Sequence, residues 1–483
     1  MIEFKNSNII IRNKDLNSTP TSYKELTRKF SIYDEVEHKR KMEIFTEIND
    51  DIYLPGTVSK SVIENIYPLK KCVVNKKMAE PSKITYNMVH QPRNDEQVEA
   101  IEFLTNIKNA ESKHRMVCSN TGIGKTYCSI NAISRLGLKA IIIVNRMQLA
   151  EQWKDQFKLH TDLQDDDFVL ISGSKSLEDA KTKDFKIAIA QHDTLSAAIA
   201  KDPNSINEFI QETGIGIRVF DEVHLHFLST CRILSTTNVL YNIYLTATPS
   251  RSSWKERILW RLVFGNVETY YGHVHEAHAT TVMCKYDTKP TAGYVRYCTT
   301  KYGFSSTRYA GYVYKHCYDI YIDTLFKIFQ KFKLSNKKVA IVLPTIDLIE
   351  KTVADLKVAF PDAAIVNFSS KTTMSNRQAV LAENNIIVTT EKMFGTGTDL
   401  SDLEYMINYV QFASKVTAEQ LIGRLRNVDG YQHILIDVTD VGFDACVKHA
   451  YTRHSVYKKK SKQVINVNEL LNDLTIEGAE NEL

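Results

Sequence analysis

The chain has 483 residues, with 61 basic against 57 acidic and a formal net charge of +4, so affinity for a polyanion must come from local patches, not a globally basic surface. Hydrophobic residues make up 43%, which excludes a disordered chain and suits about three folded domains. Eight cysteines without a C-x-x-C pair argue against a zinc knuckle or disulfide framework; with no signal-peptide pattern and no run of 18 apolar residues, they predict a cytoplasmic protein without a membrane segment.

Residues 1–88 read as a small mixed α/β domain. Asn8-Ile9-Ile10-Ile11-Arg12 suggests a strand, and Ser22 to Phe30 a capped helix. The charged run Asp34 to Lys41 reads as a solvated helix face, with a nucleic-acid contact as the alternative. From residue 89 the pattern becomes apolar strands alternating with amphipathic helices, as in a parallel sheet covered on both faces. Gln97 precedes the helical run Val98 to Ile107; its amide offers a donor and an acceptor, which suits an adenine edge.

Met116-Val117-Cys118 then leads into Ser119-Asn120-Thr121-Gly122-Ile123-Gly124-Lys125-Thr126 and a helix-like segment Tyr127 to Arg135. Strand, small-residue turn, Gly-Lys-Thr and helix is the order that lets backbone N–H groups and a helix N-terminus converge on phosphates. Ser119 stands where the strict pattern has glycine. Gly122 and Gly124 belong to this cradle; Lys125 would reach the phosphates of ATP and the Thr126 hydroxyl would hold Mg²⁺.

Later strands end in polar residues, and in open parallel sheets those ends line the binding crevice. The strand Lys139 to Val144 ends near Arg146, placed for a phosphate, and Lys186 to Ala190 ends in Gln191-His192-Asp193-Thr194. Gly216 to Phe220 ends in Asp221-Glu222-Val223-His224: Asp221 is placed to hold Mg²⁺, Glu222 to accept the proton of an attacking water, and His224 to couple the site to its surroundings. Asn242 to Leu245 ends in Thr246-Ala247-Thr248, whose hydroxyls could bridge the acidic pair to the rest of the cleft.

Gln97, Ser119 to Thr126, Asp221 to His224 and Thr246 to Thr248 resemble the Q motif and motifs I, II and III of superfamily 2 helicases. Lys338 to Pro344, Asn385 to Thr390 with Gly395 to Asp399, and Gln420 to Arg426 resemble motifs IV, V and VI. The resemblance covers residues 91 to about 440 and implies an α/β fold with two tandem RecA-like P-loop domains, 89–270 and 335–455, around one ATP site. It implies roles at that site for Gly397 and Asp399, a coupling role for Thr390, and a transition-state arginine. The family places a second arginine three residues after the first, where this chain has Asn427; Arg424 therefore carries the assignment, with Arg426 as the shifted alternative.

Residues 271–334 read as an aromatic-rich connector. Tyr294, Tyr297, Tyr302, Phe304, Tyr309, Tyr312, Tyr314, Tyr318 and Tyr321 interleave with lysines and arginines, so they either stack on a nucleic-acid strand or pack a joint. His273, His275 and His278 lie on the connecting strand or, alternatively, form a metal site. Residues 456–483 read as a basic then acidic tail. Within the superfamily the layout resembles bacteriophage UvsW-type and XPB-like DNA helicases with a DEVH box. That implies forked, branched or duplex DNA as partner and, for a phage protein, the host cytoplasm. An RNA helicase, a restriction-type translocase subunit and a non-catalytic nucleic-acid-binding protein are the rival readings.

Overall fold

The computed structural model describes residues 2–12, 20–34, 39–64, 72–75, 78–119, 123–247, 254–273, 277–300, 303–369, 377–391, 393, 402–425 and 432–473. The chain divides into two compact units, Met1–His273 and Val274–Leu483.

The first unit begins with strands β1 (Ile2–Phe4), β2 (Asn8–Ile11), β3 (Ser31–Asp34), β4 (Lys39–Glu43), β5 (Thr46–Ile48), β6 (Asp51–Pro55) and β7 (Cys72–Val74). Five of them form a mixed sheet in the order β5-β6-β2-β1-β7, while β3 and β4 pair separately. The described helices of this region are Pro20–Lys29 and Lys60–Glu64. The charged run expected as a helix face instead contributes β3 and β4, because Ile32 and Met42 alternate inward against the core.

This small sheet shares its core with the larger one behind it: Ile9, Ile11, Phe30 and Leu54 belong to one buried cluster with Phe220, Tyr244 and Trp260. Buried hydrogen bonds seal the joint. Ser7 Oγ accepts from Val239 N at 2.6 Å, Asn8 Nδ2 donates to Ser235 O at 2.9 Å, and His114 Nε2 lies 2.9 Å from Asn6 O. Polar groups out of water are retained only when paired in this way.

The larger sheet holds β8 (His114–Cys118), β9 (Ala140–Val144), β10 (Phe168–Ile171), β11 (Ile187–Gln191), β12 (Ile217–Phe220), β13 (Tyr241–Thr246) and β14 (Glu268–Tyr271), in the order β10-β11-β9-β12-β13-β8-β14. All pairings are parallel. β9 reads Ala-Ile-Ile-Ile-Val and is buried at every position, the continuous apolar run that a sheet covered on both faces requires. A parallel sheet brings all strand C-termini to one edge, so Ser119, Arg146, Thr194, Asp221 and Thr246 gather there.

The second unit contains β15 (Thr280–Tyr286), the hairpin β16 (Thr299–Thr300) with β17 (Gly303–Phe304), then β18 (Val339–Leu343), β19 (Ile365–Phe368), β20 (Ile386–Thr390), β21 (Tyr405–Asn408), β22 (Ile434–Asp440) and β23 (Gln463–Leu470). Its parallel sheet runs β19-β20-β18-β21-β22-β15-β23. The supposed connector is thus part of this unit, because β15 inserts between β22 and β23. The expected tail departs likewise: 456–460 close the helix Asp444–Lys460, and β23 takes an edge of the sheet.

The tyrosines follow. Tyr309, Tyr312, Tyr318 and Tyr321 are buried in the core of the second unit, which favours packing over strand stacking for these four. Tyr297 is 52% exposed with the Arg308 guanidinium over its ring, and Tyr302 lies outside the described residues. Among the described residues no helix is long and apolar enough to cross a membrane.

Candidate active site

The helix Lys125–Leu136 starts directly after Gly124, whose φ of +83° is a left-handed conformation open chiefly to glycine. A Cβ there would also lie 2.8 Å from Gln97 Nε2. Lys125 Nζ donates to Ser119 O at 2.8 Å, Thr126 is half-buried in the first turn, and Asn120, Thr121 and Gly122 lie outside the described residues. Gln97 is buried at 3% exposure, with both ends of its amide on the protein: Nε2 donates to Ile123 O at 2.8 Å and Oε1 accepts from Arg93 N at 2.9 Å. Its amide thus ties Arg93, ahead of its own helix, to Ile123 of the glycine-containing turn.

The acidic pair occupies a tight turn after β12. Glu222 sits at φ +47°, which costs a non-glycine residue roughly 1–2 kcal/mol. The turn is pinned by Asp221 N to Ile143 O at 3.0 Å, Val223 N to Leu245 O at 3.0 Å and Leu225 N to Glu222 O at 2.8 Å. Such an outlier persists where the surroundings over-determine it, typically at a functional site. His224 is buried, with Nδ1 2.9 Å from Thr246 Oγ1 and 3.2 Å from Glu222 Oε2. Thr246 O accepts from Ser119 N at 3.1 Å. The acidic turn, the end of β13 and the start of the phosphate loop thus form one bonded chain.

The two carboxylates divide electrostatically. Burial, reinforced by the charge of Glu222, pushes Asp221 up to about 6. Burial also acts on Glu222, but the His224 hydrogen bond and the Lys125 charge outweigh it and hold the group at about 2. Glu222 thus holds its negative charge more firmly than Asp221 and can accept from a water; a quarter of its side chain remains exposed.

Trp153, on the helix Met147–His160, donates its indole Nε1 to Asp221 Oδ2 at 2.9 Å. The sequence carried a usable signal here, since a buried indole N–H must find an acceptor. Among the described residues no cluster of three or more His, Cys, Asp or Glu could hold a metal, and His275 lies outside the described residues. One carboxylate and one hydroxyl suit Mg²⁺, a hard cation that uses few protein ligands, and Asp221 with Thr126 would hold it. Trp153→Phe, which removes the N–H together with part of the buried indole, is expected to raise the Mg²⁺ requirement for nucleotide binding by about tenfold, read by titration with a fluorescent nucleotide. Proton and cation compete for Asp221, so Mg²⁺ affinity should fall as pH is lowered through about 6.

Arg146 is exposed at the start of its helix, and Thr194 is half-buried in the first turn of His192–Lys201. In the second unit, Thr390 ends β20 and Arg424 follows the helix Lys415–Ile422, half-buried. Thr248, Gly397, Asp399 and Arg426 lie outside the described residues.

Residues 91–251 match the family model described as "Type III restriction enzyme, res subunit". The chain is 28% identical over 155 residues to "Putative DNA 3'-5' helicase Rad25" of Haloarcula marismortui, covering 32% of this chain and 23% of that protein. It is 28% identical over 260 residues to "Putative helicase 161L" of Invertebrate iridescent virus 6, covering 51% of each. The matches thus span about a quarter and about half of the lengths of these relatives. Among solved structures, Saccharomyces cerevisiae Dbp5 bound to RNA and ADP BeF3 aligns with a TM-score of 0.52 at 14% identity, over 85% of this chain and 94% of that one. Mss116p bound to single-stranded RNA and AMP-PNP aligns with a TM-score of 0.51 at 15% identity, over 77% and 74%. At such identity these two show the fold. Residues 91–251 thus match the restriction-enzyme res-subunit family model, within a chain that has two tandem RecA-like folds.

Proposed function

We propose that the protein is an ATP-driven nucleic-acid motor that works on DNA, unwinding or branch-migrating forked and recombination intermediates. The carrying observation is the bonded set Lys125–Ser119–Thr246–His224–Glu222 with Asp221 beside it, all at the C-terminal edge of one parallel sheet. Lys125 neutralises phosphate charge, Glu222 orients and deprotonates the attacking water, and the His224–Thr246 contact links the acidic turn to neighbouring segments. Mg²⁺ supplies charge neutralisation on the phosphates when bound, and Arg424 is the transition-state arginine. Arg146, Thr194 and Thr390, at strand ends, contact the nucleic acid or relay its presence.

DNA is favoured over RNA because the Haloarcula relative is named a DNA helicase, while the RNA-bound neighbours share only the fold. The test is a labelled four-way junction incubated with protein and ATP. Conversion to its duplex arms, absent with a non-hydrolysable analogue, is expected; activity confined to RNA duplexes would replace the DNA reading.

A further inference from the structure

β14 ends at Tyr271 and the first unit ends two residues later, at His273. In the β14–β8 register Tyr271 lies beside Cys118, so the chain leaves the sheet alongside Ser119, the first residue of the phosphate loop. Gly272 N donates to Cys118 O at 3.2 Å. The approach tolerates only glycine: a Cβ on Gly272 would lie 2.3 Å from Ser119 Oγ, 2.8 Å from Ser119 Cβ and 2.7 Å from Glu96 Oε1.

The same segment is tied to the helix Asp95–Thr105. His273 N donates to Glu96 Oε1 at 2.7 Å, and Glu96 is only 4% exposed. Glu99 Oε2 takes the Tyr270 hydroxyl at 3.0 Å and lies 2.9 Å from His273 Nε2. A buried carboxylate persists when a hydrogen bond and a helix N-terminus offset its desolvation, and Glu96 has both. Glu96 and Gln97 are adjacent on this helix, so one turn grips the departing chain with one residue and Ile123 of the phosphate loop with the next.

We propose that Tyr270–His273 is a positioning brace for the phosphate loop, making nucleotide affinity depend on where the chain leaves the first unit. It rests on the nucleotide-binding reading above. Its bonds to Cys118, Glu96 and Glu99 hold the residue that precedes the loop and the helix that carries Gln97. Coupling of this kind is reciprocal, so bound nucleotide tightens the brace.

The test uses the full chain and a fluorescent ATP analogue with Mg²⁺. Gly272→Ala should weaken binding by about tenfold, and Ser119→Gly in the same chain, which removes the obstructing Cβ and hydroxyl, should recover most of that loss. Unchanged affinity in Gly272→Ala, or a loss that Ser119→Gly leaves in place, overturns the brace. The second measurement needs no variant: nucleotide should slow hydrogen exchange at the Gly272 and His273 amides of the wild-type protein, and equal exchange with and without bound nucleotide overturns it. A wild-type protein that binds no nucleotide refutes the underlying reading, an outcome distinct from either of these.

Discussion

Glu222→Gln is expected to retain nucleotide and to lower ATP turnover by about 10²- to 10⁴-fold, the range that loss of a general base covers. Glutamine keeps the shape of the side chain and an oxygen for Ala247 N, which approaches Glu222 Oε2 at 3.4 Å, so the turn should survive. What disappears is the anionic acceptor that His224 and Lys125 hold ionised in a half-buried setting. Glu222→Gly separates the two properties of this position. Relieving the positive φ should make the fold slightly more stable while turnover falls as far as in the glutamine variant. A thermal melt beside a single-turnover assay reads both, and hydrolysis at the wild-type rate in Glu222→Gln would remove the general base from the account.

Lys125→Ala should weaken nucleotide binding by roughly 10- to 150-fold, the equivalent of about 1.5–3 kcal/mol for a charge-assisted contact, and should leave no measurable turnover. The loss should also depend on pH, because Lys125 lowers the proton affinity of both Asp221 and Glu222. Without it Asp221 holds a proton to higher pH and Mg²⁺ competes less well. Nucleotide affinity measured at pH 6 and pH 8 should therefore differ more in the variant than in the wild type.

Much of this arrangement is visible in the sequence because parallel strands buried on both faces are continuous apolar runs, and Ala140–Val144 or Val339–Leu343 cannot readily be read otherwise. Polar residues terminating such runs fall at one sheet edge by topology alone, which is why Lys125, Asp221, Glu222 and Thr246 could be named beforehand. The tyrosines were ambiguous because their composition is the same on a stacking surface and in a core; only their placement beside Asp440 and Phe443 separates the two. The short strands β3 and β4 were misread because a charged run of eight residues has too little apolar pattern to fix its period. Which distant residues meet is set by the fold and not by local pattern: Trp153 meets Asp221 across 68 positions, and His273 meets Glu96 across 177.

The account depends most directly on steady-state ATP hydrolysis by the purified chain, measured without nucleic acid and then with single-stranded DNA, duplex DNA, a four-way junction and matched RNA. It predicts slow basal turnover that DNA raises strongly, most of all on the branched substrate, and that Lys125→Ala abolishes. Turnover indifferent to every nucleic acid, or surviving in Lys125→Ala, would contradict it.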